Sequence, residues 1–175
     1  MTTIRAMAVS ELARIGEIDR SERITQQYRQ HGRSLQLIDV DIEAPRWGEP
    51  GEATIEHRIE QWTRLVNAGG MSLGAFDGDH LVGFAVYMRA SPGAPAQLAV
   101  LHVTRPWRRL GVGGELTNEI ICLARADGEQ RLYVSATPTR GTVDFYMSQG
   151  FMPLTTPNAR LFALEPDDIH MERVL

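Results

Sequence analysis

The sequence predicts one domain of mixed α/β fold, in which helices flank a mostly antiparallel central sheet. The chain has 175 residues, 43% of them apolar and 23% charged, which suits a single globular domain. Two apolar stretches flank the turn signal Asp77-Gly78 and predict an antiparallel hairpin. After a third apolar stretch, helical and strand patterns alternate towards the end of the chain. Together these observations favour a sheet with helices packed on it.

The first 70 residues have the pattern of helix and loop. Ser10 is a candidate N-cap, and apolar residues recur after it at near-helical spacing. Between residues 32 and 51 prolines and glycines break the pattern, which predicts a mobile or irregular connection. The apolar residues of the two helical patterns are Leu12, Ile15 and Ile18, and then Ile55, Ile59, Trp62 and Val66. The second helix is expected to end at Gly69-Gly70.

From residue 71 onward the pattern changes to strands and then alternates with helices. Strands are predicted at 71–76, 81–88 and 97–103, and the third is apolar on both faces, which is typical of a central strand. The later predicted elements are a helix at 113–126, a strand at 132–136, a helix at 143–148 closed by Gly150, and one or two final strands that end at 169–174. This order is that of a mixed sheet in a single domain.

Charge and composition exclude several classes of function. The formal net charge is −4, all 18 basic residues are arginine, and the chain contains no lysine. Without lysine there is no Walker-A phosphate loop, no Schiff-base or pyridoxal-phosphate lysine and no protein-kinase strand lysine. A mildly acidic chain without a basic run is not expected to have nucleic acid as its main partner.

Cysteine usage and hydropathy favour a cytoplasmic protein without a metal centre. Cys122 is the single cysteine, so nothing requires an oxidising compartment. The N-terminus lacks the apolar core of a signal peptide, and no apolar run approaches the roughly 20 residues that span a bilayer. The five histidines are scattered, with no pair at i, i+4 spacing, so no metal site is predicted. We therefore expect a cytoplasmic location and no membrane contact.

The residues from Arg108 to Gly114 carry the strongest chemical signal. An apolar strand leads into a loop with two arginines and three glycines, and a helix follows. Glycine lets an anion approach the backbone amides closely, and the helix dipole adds positive potential. The dinucleotide-binding fingerprint fails because Leu116 stands where it requires glycine or alanine. The pattern therefore predicts a pyrophosphate site, and the same residues also fit a helix start that binds no ligand.

Two motifs resemble those of a known family. Arg108-Arg109-Leu110-Gly111-Val112-Gly113 resembles motif A of the GNAT acetyltransferase superfamily, Arg-x-x-Gly-x-Gly. The stretch from Phe145 to Phe151 resembles the family's second signature, a short helix with a tyrosine that ends in Gly-Phe. The resemblance covers residues 71–175 well and the first 70 only by helix content. It implies one N-acetyltransferase domain over 1–175, with a GNAT-like sheet, an acetyl-CoA-binding core at 71–175 and a helical substrate-side region at 1–70.

The resemblance implies acetyl transfer from acetyl-CoA to an amine of a small molecule or peptide, by direct attack in a ternary complex. The strands at 97–103 and 132–136 would splay apart to admit the pantetheine arm. Tyr146 would protonate the departing thiolate, for which a phenol with an ordinary pKa of about 10 is suited. Thr139 stands where the family often carries asparagine. The cofactor-binding residues so implied are Leu101, Val103, Arg108, Arg109, Leu110, Gly111, Val112, Gly113, Gly114, Thr139 and Tyr146.

The general base is where the sequence departs from the family pattern. Gln97 occupies the position that holds glutamate in many members, and an amide does not usefully accept a proton. His102 lies on the same predicted strand, and its residue type makes it a candidate catalytic base. A histidine with a purely structural partner fits the same position. Because Gln97 replaces the glutamate base, a second function is also compatible with the sequence: a coenzyme A-binding sensor or structural module with little turnover.

The acceptor amine is expected to bind between the first 70 residues and the loops near Tyr87, Ser135 and Pro157. Acidic side chains of the first region would attract a cationic amine, unless they only solvate the surface. These residues are Glu17, Asp19, Glu22, Asp39, Asp41 and Glu43. Trp47 and Trp62 would form an aromatic wall, although Trp62 also fits the apolar stripe of its helix. Because many relatives pair as dimers, the resemblance leaves a homodimer open.

Overall fold

The computed structural model describes residues 2–175, which form a seven-stranded sheet, a separate two-stranded sheet and four α-helices. The strands are β1 Thr3–Ala6, β2 Glu22–His31, β3 Ser34–Ala44, β4 Met71–Asp77, β5 His80–Met88, β6 Gln97–Val103, β7 Arg131–Ala136, β8 Met152–Pro153 and β9 Ile169–Val174. The helices are α1 Ile55–Asn67, α2 Val112–Ala126, α3 Arg140–Ser148 and α4 Ala159–Leu164, with 3₁₀ helices at Val9–Glu17 and Arg105–Trp107. The predicted mixed α/β class, with a mostly antiparallel sheet flanked by helices, is confirmed.

The large sheet is antiparallel except where β6 meets β7. Its strands lie in the order β1-β4-β5-β6-β7-β9-β8. β6 contains a β-bulge at Ala99. Leu98 pairs with Tyr87 and Val100 pairs with Val86, so Ala99 has no partner on β5. Such a bulge shifts the alternation of the side chains that follow. Leu101 and Val103 therefore pack towards α2, whereas His102 lies on the opposite face with Trp47.

Each face of the sheet has its own apolar core. One core lies under α2 and α3 and includes Leu116, Ile120, Val143 and Phe151. The other lies under α1 and the first 3₁₀ helix and includes Leu12, Ile15, Ile18, Trp62 and Phe84. Because both faces are covered, β5 is buried continuously from Leu81 to Tyr87.

Residues 22–44 form a β-hairpin, not the helix and irregular connection that the sequence predicts. β2 and β3 pair around a tight turn at Gly32, which has φ 60°. Residues 38–43 of β3 do alternate apolar with polar side chains, which is a strand signal, whereas β2 is mostly polar and carries no such pattern. Contacts with distant residues hold it: the Tyr28 amide donates to Pro138 O at 2.8 Å, and the Tyr28 hydroxyl donates to Asp144 at 2.8 Å. The prediction of a helical first region is therefore wrong over these residues.

Two helices also differ from the sequence-based expectation. The first helix is the 3₁₀ helix Val9–Glu17, and the Glu11 carboxylate accepts the Ala8 amide at 2.9 Å, whereas Ser10 lies inside the helix. α4 was not predicted, because six residues are too few for a periodic pattern. Its N-cap is Asn158, whose side-chain oxygen accepts two backbone amides. The remaining predicted strands and helices from residue 71 onward are confirmed, with bounds that differ by at most three residues.

Candidate active site

The loop between β6 and α2 presents a run of unpaired backbone amides, here called the amide cradle (residues 109–114). Arg109 has φ 65° and Gly111, which precedes α2, has φ 92°; left-handed residues of this kind turn successive N–H groups outward. Within residues 2–175, the amides of the cradle donate to no other atom, and the first paired amide is that of Glu115, to Gly111 O at 3.0 Å. Because α2 has 15 residues, its dipole adds positive potential here. The cradle is built for an anion with several acceptor oxygens.

Arg108 anchors this loop to the first strand of the hairpin. Its guanidinium donates to Arg20 O at 2.9 Å, to Ser21 O at 3.4 Å and to the Glu22 carboxylate at 3.2 Å, and its Nε donates to Val103 O at 3.1 Å. Burial lowers the pKa of Arg108 from its usual high value, but the group stays charged. Glu22, which the sequence places with the acceptor, is used here as an ion-pair partner. The sequence could not show these contacts, because β2 was not recognised as a strand.

Arg109 is the arginine of the motif that remains open to solvent. Its residue is exposed, and no protein acceptor binds its side chain within residues 2–175. Exposed Leu110 follows it, and Val112 is buried at the start of α2. The free positive charge beside the cradle is therefore that of Arg109.

β6 and β7 are paired at one position and then separate. Gln97 lies opposite Tyr133, and the Tyr133 amide donates to Ala96 O at 2.9 Å. In the part of the chain that the structure describes, β6 has no further partner on β7. The two strands thus leave an opening in the middle of the sheet, called here the β6–β7 gap, as the family resemblance implies.

The backbone of β6 turns two amides into this gap. The Thr104 amide donates to Val82 O on β5 at 2.9 Å. Because strand amides alternate in direction, the amide of His102 also points to β5, whereas those of Leu101 and Val103 point into the gap. These two residues are the ones that the resemblance assigns to the cofactor arm. An open strand edge of this kind can pair with an extended, amide-bearing ligand.

Tyr146 lies on α3 within the core that α2 covers. It is 6% exposed, and its ring lies 5.2 Å from that of Phe145 and 5.5 Å from that of Phe151. Burial, helped by the carboxylates of Asp168 and Glu165, raises the pKa of the phenol. Tyr146 therefore holds its proton throughout the neutral range, as a proton donor must.

Thr139 is the N-cap of α3. Its hydroxyl oxygen accepts the Thr142 amide at 3.2 Å and donates to the Thr142 hydroxyl at 2.9 Å. Because the side chain is buried and both bonds are internal, the structure gives Thr139 a structural role. Its contribution to cofactor binding stays a prediction.

His102 is packed between two tryptophans. Its ring centroid lies 5.3 Å from that of Trp47 and 5.3 Å from that of Trp62. Burial, followed by the positive charges of Arg20 and Arg108, lowers the pKa of His102 to about 4. The imidazole is therefore neutral and weakly basic at pH 7, which is typical of a packed histidine; its role as the base stays a prediction.

The acidic side chains near the expected acceptor pocket are mostly paired. The pairs are Glu17 with Arg14 at 2.7 Å, Asp19 with Arg46 at 3.5 Å, Glu22 with Arg108 at 3.2 Å, Asp41 with Arg23 at 3.2 Å, and Asp39 with Gln26 at 3.0 Å. A cleft of about 430 Å³ between the first 3₁₀ helix and α1 is lined by Glu17, Asp19, Arg46 and Trp47. Tyr87 is fully buried and does not line this cleft. Attraction of a cation by these carboxylates is therefore weaker than the sequence indicates.

Residues 2–175 contain neither a metal-binding cluster nor a membrane-spanning helix. No group of three or more His, Cys, Asp or Glu side chains there could hold a metal ion. Among the helices of the same residues, none is long and apolar enough to cross a membrane.

The sequence matches a family of known activity. The sequence model of the Acetyltransferase (GNAT) family matches residues 35–151, well over half of the chain. The matched segment contains the amide cradle, both strands of the β6–β7 gap and Tyr146. A comparison with curated proteins finds no match.

Solved structures of similar fold are acetyltransferases. Nourseothricin acetyltransferase has a TM-score of 0.73 at 17% identity, with 99% of this chain and 98% of that chain covered. A protein of Bacillus anthracis str. Ames, named as a streptothricin acetyltransferase and in complex with acetyl coenzyme A, has a TM-score of 0.75 at 18% identity, with 100% and 99% covered. PaiA N-acetyltransferase from Thermoplasma acidophilum, in complex with coenzyme A, has a TM-score of 0.60 at 20% identity, with 100% and 99% covered. At these identities the likeness shows the fold.

Proposed function

Because the chain belongs to the Acetyltransferase (GNAT) family, we propose that it transfers an acetyl group from acetyl-CoA to a primary amine of a small molecule or peptide, by direct attack in a ternary complex. One observation carries the proposal: only residues 104–108 separate the unpaired amide cradle from β6, whose Leu101 and Val103 amides face the gap. An anion site joined to an open strand edge suits a ligand with a diphosphate and an amide-bearing arm. Coenzyme A has both.

The cradle would hold the pyrophosphate of the co-substrate. Its six amides supply the donors, Arg109 supplies free charge, and Arg108 holds the loop in shape. A Cβ at Gly113 would lie 3.4 Å from the Phe145 ring, so glycine there lets the start of α2 pack closely against α3. Leu101 and Val103 would pair with the arm through their backbone amides.

The residues around the gap supply the remaining chemistry. When acetyl-CoA is bound, its thioester provides the activated acetyl group. The Val103 amide, which faces the gap, would donate to the thioester carbonyl oxygen as that oxygen gains charge. Tyr146, kept protonated by burial, would donate its phenol proton to the leaving sulfur.

We propose that the acceptor amine enters from the face of the sheet opposite α2 and α3. The co-substrate would occupy the α2 side of the gap, and residues 1–70 supply the 3₁₀ helix and α1 that cover the other face. This supports residues 1–70 as the substrate side of a single domain. The names of two structures of similar fold refer to acetylation of nourseothricin and streptothricin, which supports a small-molecule amine ahead of a peptide.

The test combines binding with turnover. Titration calorimetry of the purified protein with acetyl-CoA measures binding, and thiol release is followed with a panel of amines that includes streptothricin-type antibiotics, polyamines, amino acids and short peptides. We expect acetyl-CoA to bind and at least one small amine to raise thiol release above the rate of hydrolysis. Binding without amine-dependent release would favour the coenzyme A-binding sensor, which the Gln97 position supports. Absence of binding would refute both functions.

A further inference from the structure

A buried histidine lies one strand away from the β6–β7 gap. His170 on β9 is 2% exposed. Its Nε2 lies 2.9 Å from Glu165 O, and its Nδ1 lies 2.7 Å from the Tyr133 hydroxyl and 3.3 Å from Ser135 Oγ. Both ring nitrogens are thus partnered, as is normal for a polar group at this depth.

The partners of His170 determine which nitrogen carries its hydrogen. A carbonyl oxygen only accepts, so Nε2 carries the hydrogen and donates to Glu165 O. Nδ1 is then the acceptor, and it faces the hydroxyls of Tyr133 and Ser135. Burial raises the pKa of Tyr133 to about 12, so this phenol keeps its proton and donates it. In this tautomer the lone pair of Nδ1 is directed at β7.

Ser135 connects this histidine to the gap. Val134 and Ala136 pack into the core under α2 and α3, so alternation places Tyr133 and Ser135 on the opposite face. Tyr133 lies opposite Gln97 at the one β6–β7 pair, and Ser135 comes two residues later, where the strands have separated. Ser135 is half-buried, whereas Tyr133 is enclosed. Ser135 is therefore the member of the group that is open to the gap, on the proposed acceptor side.

We propose that Ser135 and His170 form a proton relay for the acceptor amine, in place of the glutamate that many relatives carry at the position of Gln97. The inference rests on the proposed function. As the amine nitrogen bonds to the acetyl carbon, the Tyr133 hydroxyl turns so that it no longer donates to His170 Nδ1. Ser135 Oγ then takes the N–H proton and passes its own hydrogen to that nitrogen. The carbon–sulfur bond breaks, and Tyr146 gives its proton to the sulfur.

The proton balance closes through solvent. His170, now an imidazolium, donates from Nε2 to Glu165 O and from Nδ1 to the two hydroxyls. It releases its extra proton to water as the product leaves, and Tyr146 takes one proton back. The net change is one acetyl group moved from sulfur to nitrogen, with one proton moved in the opposite direction.

None of the charged groups around His170 competes with the Tyr133 and Ser135 hydroxyls for Nδ1. The charged and titratable groups here are Tyr133 on β7, Glu172 on β9 with its partner Arg131 at 2.6 Å, and Glu165 and Asp168 in the segment before β9. α4 contributes the ring of Phe162, 5.5 Å from the imidazole, and no charge. Glu165 reaches His170 through its backbone carbonyl, and Glu172 is neutralised by its ion pair. No carboxylate within residues 2–175 hydrogen-bonds to the imidazole.

Substitutions at Ser135 test the relay by steady-state kinetics with the amine found in the panel. Ser135→Ala removes the hydroxyl that receives the proton, and Ser135→Thr retains a hydroxyl. Ser72→Ala is the matched control, because Ser72 is a buried serine on β4 whose hydroxyl donates to Met7 O at 2.9 Å, away from the gap. We expect Ser135→Ala to lower kcat by about 10- to 100-fold, with the KM for acetyl-CoA unchanged and with Ser135→Thr largely restoring kcat. Ser72→Ala should keep the wild-type kcat.

The pH profile separates a relay from a structural effect. Without the relay, hydroxide or buffer must take the proton, so the deficit of Ser135→Ala should shrink as the pH rises. His170→Gln should behave in the same way if it folds, and Ser135→Ala keeps the test decisive if it does not. A deficit that is equal at every pH, or a wild-type kcat in Ser135→Ala, would overturn the proposal. Turnover by the wild-type protein is the separate test of the proposed function.

A measurement without substrate tests the same geometry. Long-range ¹H–¹⁵N correlation spectra of the apo protein report which imidazole nitrogen carries hydrogen. We expect His170 to be the Nε2–H tautomer in both the wild type and Ser135→Ala. The Nδ1–H tautomer would overturn the relay, because Nδ1 would then have no lone pair to receive the proton.

Discussion

Arg108 and Arg109 are adjacent in one motif but have different structural roles. Arg108 is tied to two backbone carbonyls near β2 and to Glu22, so it fixes the shape of the loop. Arg109 is exposed and has φ 65°, a conformation that costs a non-glycine residue about 1 kcal/mol or more. Such strain persists only where the surroundings impose it, and here it turns an amide into the cradle. Residue type alone did not separate the two roles, since both side chains suit a phosphate.

Tyr146→Phe tests whether the Tyr146 hydroxyl is the proton donor. The substitution keeps the ring contacts with Phe145 and Phe151 and removes only the hydroxyl. We expect kcat for amine-dependent thiol release to fall by about 100-fold or more, the usual contribution of a general acid, with little change in the KM for acetyl-CoA. Tyr87→Phe, a fully buried tyrosine on β5, should leave kcat unchanged. An unaltered kcat in Tyr146→Phe would remove this residue from the reaction.

At the scale of the element, α2 combines a ligand site and a core helix in one segment. Its N-terminus carries the unpaired amides, while Leu116, Ile120 and Ala124 fill the core further along. Gly111 has φ 92° and Gly128, just beyond the other end of the helix, has φ 81°. A Cβ at either glycine would meet no heavy atom within 4 Å, so both positions need glycine for backbone conformation alone.

Gly111→Ala and Gly128→Ala form a matched pair. Each forces an alanine into the left-handed region, so each should lower the free energy of unfolding by about 1 to 2 kcal/mol, measured by denaturant titration. Only Gly111→Ala disturbs the amide cradle, so it alone should weaken acetyl-CoA binding, by about tenfold or more in calorimetry. Equal binding by both variants would show that the pyrophosphate lies elsewhere.

At the scale of the whole molecule, the apolar core on each face of the sheet explains why His102 is a packed, neutral histidine. The two apolar cores enclose β5 and β6, and the imidazole lies between Trp47 and Trp62 on the α1 side. The same burial that holds the ring in place disfavours its charged form. The effect is a property of the assembled fold, because the two tryptophans lie 55 and 40 residues away in the sequence.

The lowered pKa of His102 predicts a window of acid sensitivity. In the unfolded chain a histidine titrates near pH 6.5, and in the folded protein His102 titrates at about 4. Its contribution is therefore fully present above pH 6.5 and is lost as the pH falls towards 4, by an amount on the order of 2 to 3 kcal/mol. We expect His102→Gln to flatten the pH dependence of the unfolding free energy over this window, and His31→Gln, on the exposed hairpin turn, to leave it as in the wild type. An identical slope in wild type and His102→Gln would contradict the prediction.

The sequence by itself determined the position of the amide cradle and, apart from α4, the main strands and helices from residue 71 onward. Both depend on neighbours along the chain: the Asp77-Gly78 turn sets a hairpin, and the glycines around Gly111 set a left-handed entry into a helix. Local conformation of this kind follows from steric limits on each residue, which are legible in residue types. The same reasoning placed Tyr146 on its helix.

Only the tertiary structure decided the hairpin β2–β3, the role of Arg108 and the group around His170. Glu22 and Arg108 are 86 residues apart, and Ser135 and His170 are 35 residues apart, so no local pattern relates them. β2 is mostly polar and is held by distant partners on and near α3, so it has no strand signature of its own, although residues 38–43 of β3 alternate apolar with polar side chains. Contacts between distant residues form only when strands are brought into register, and that register is set by the packing of the whole sheet.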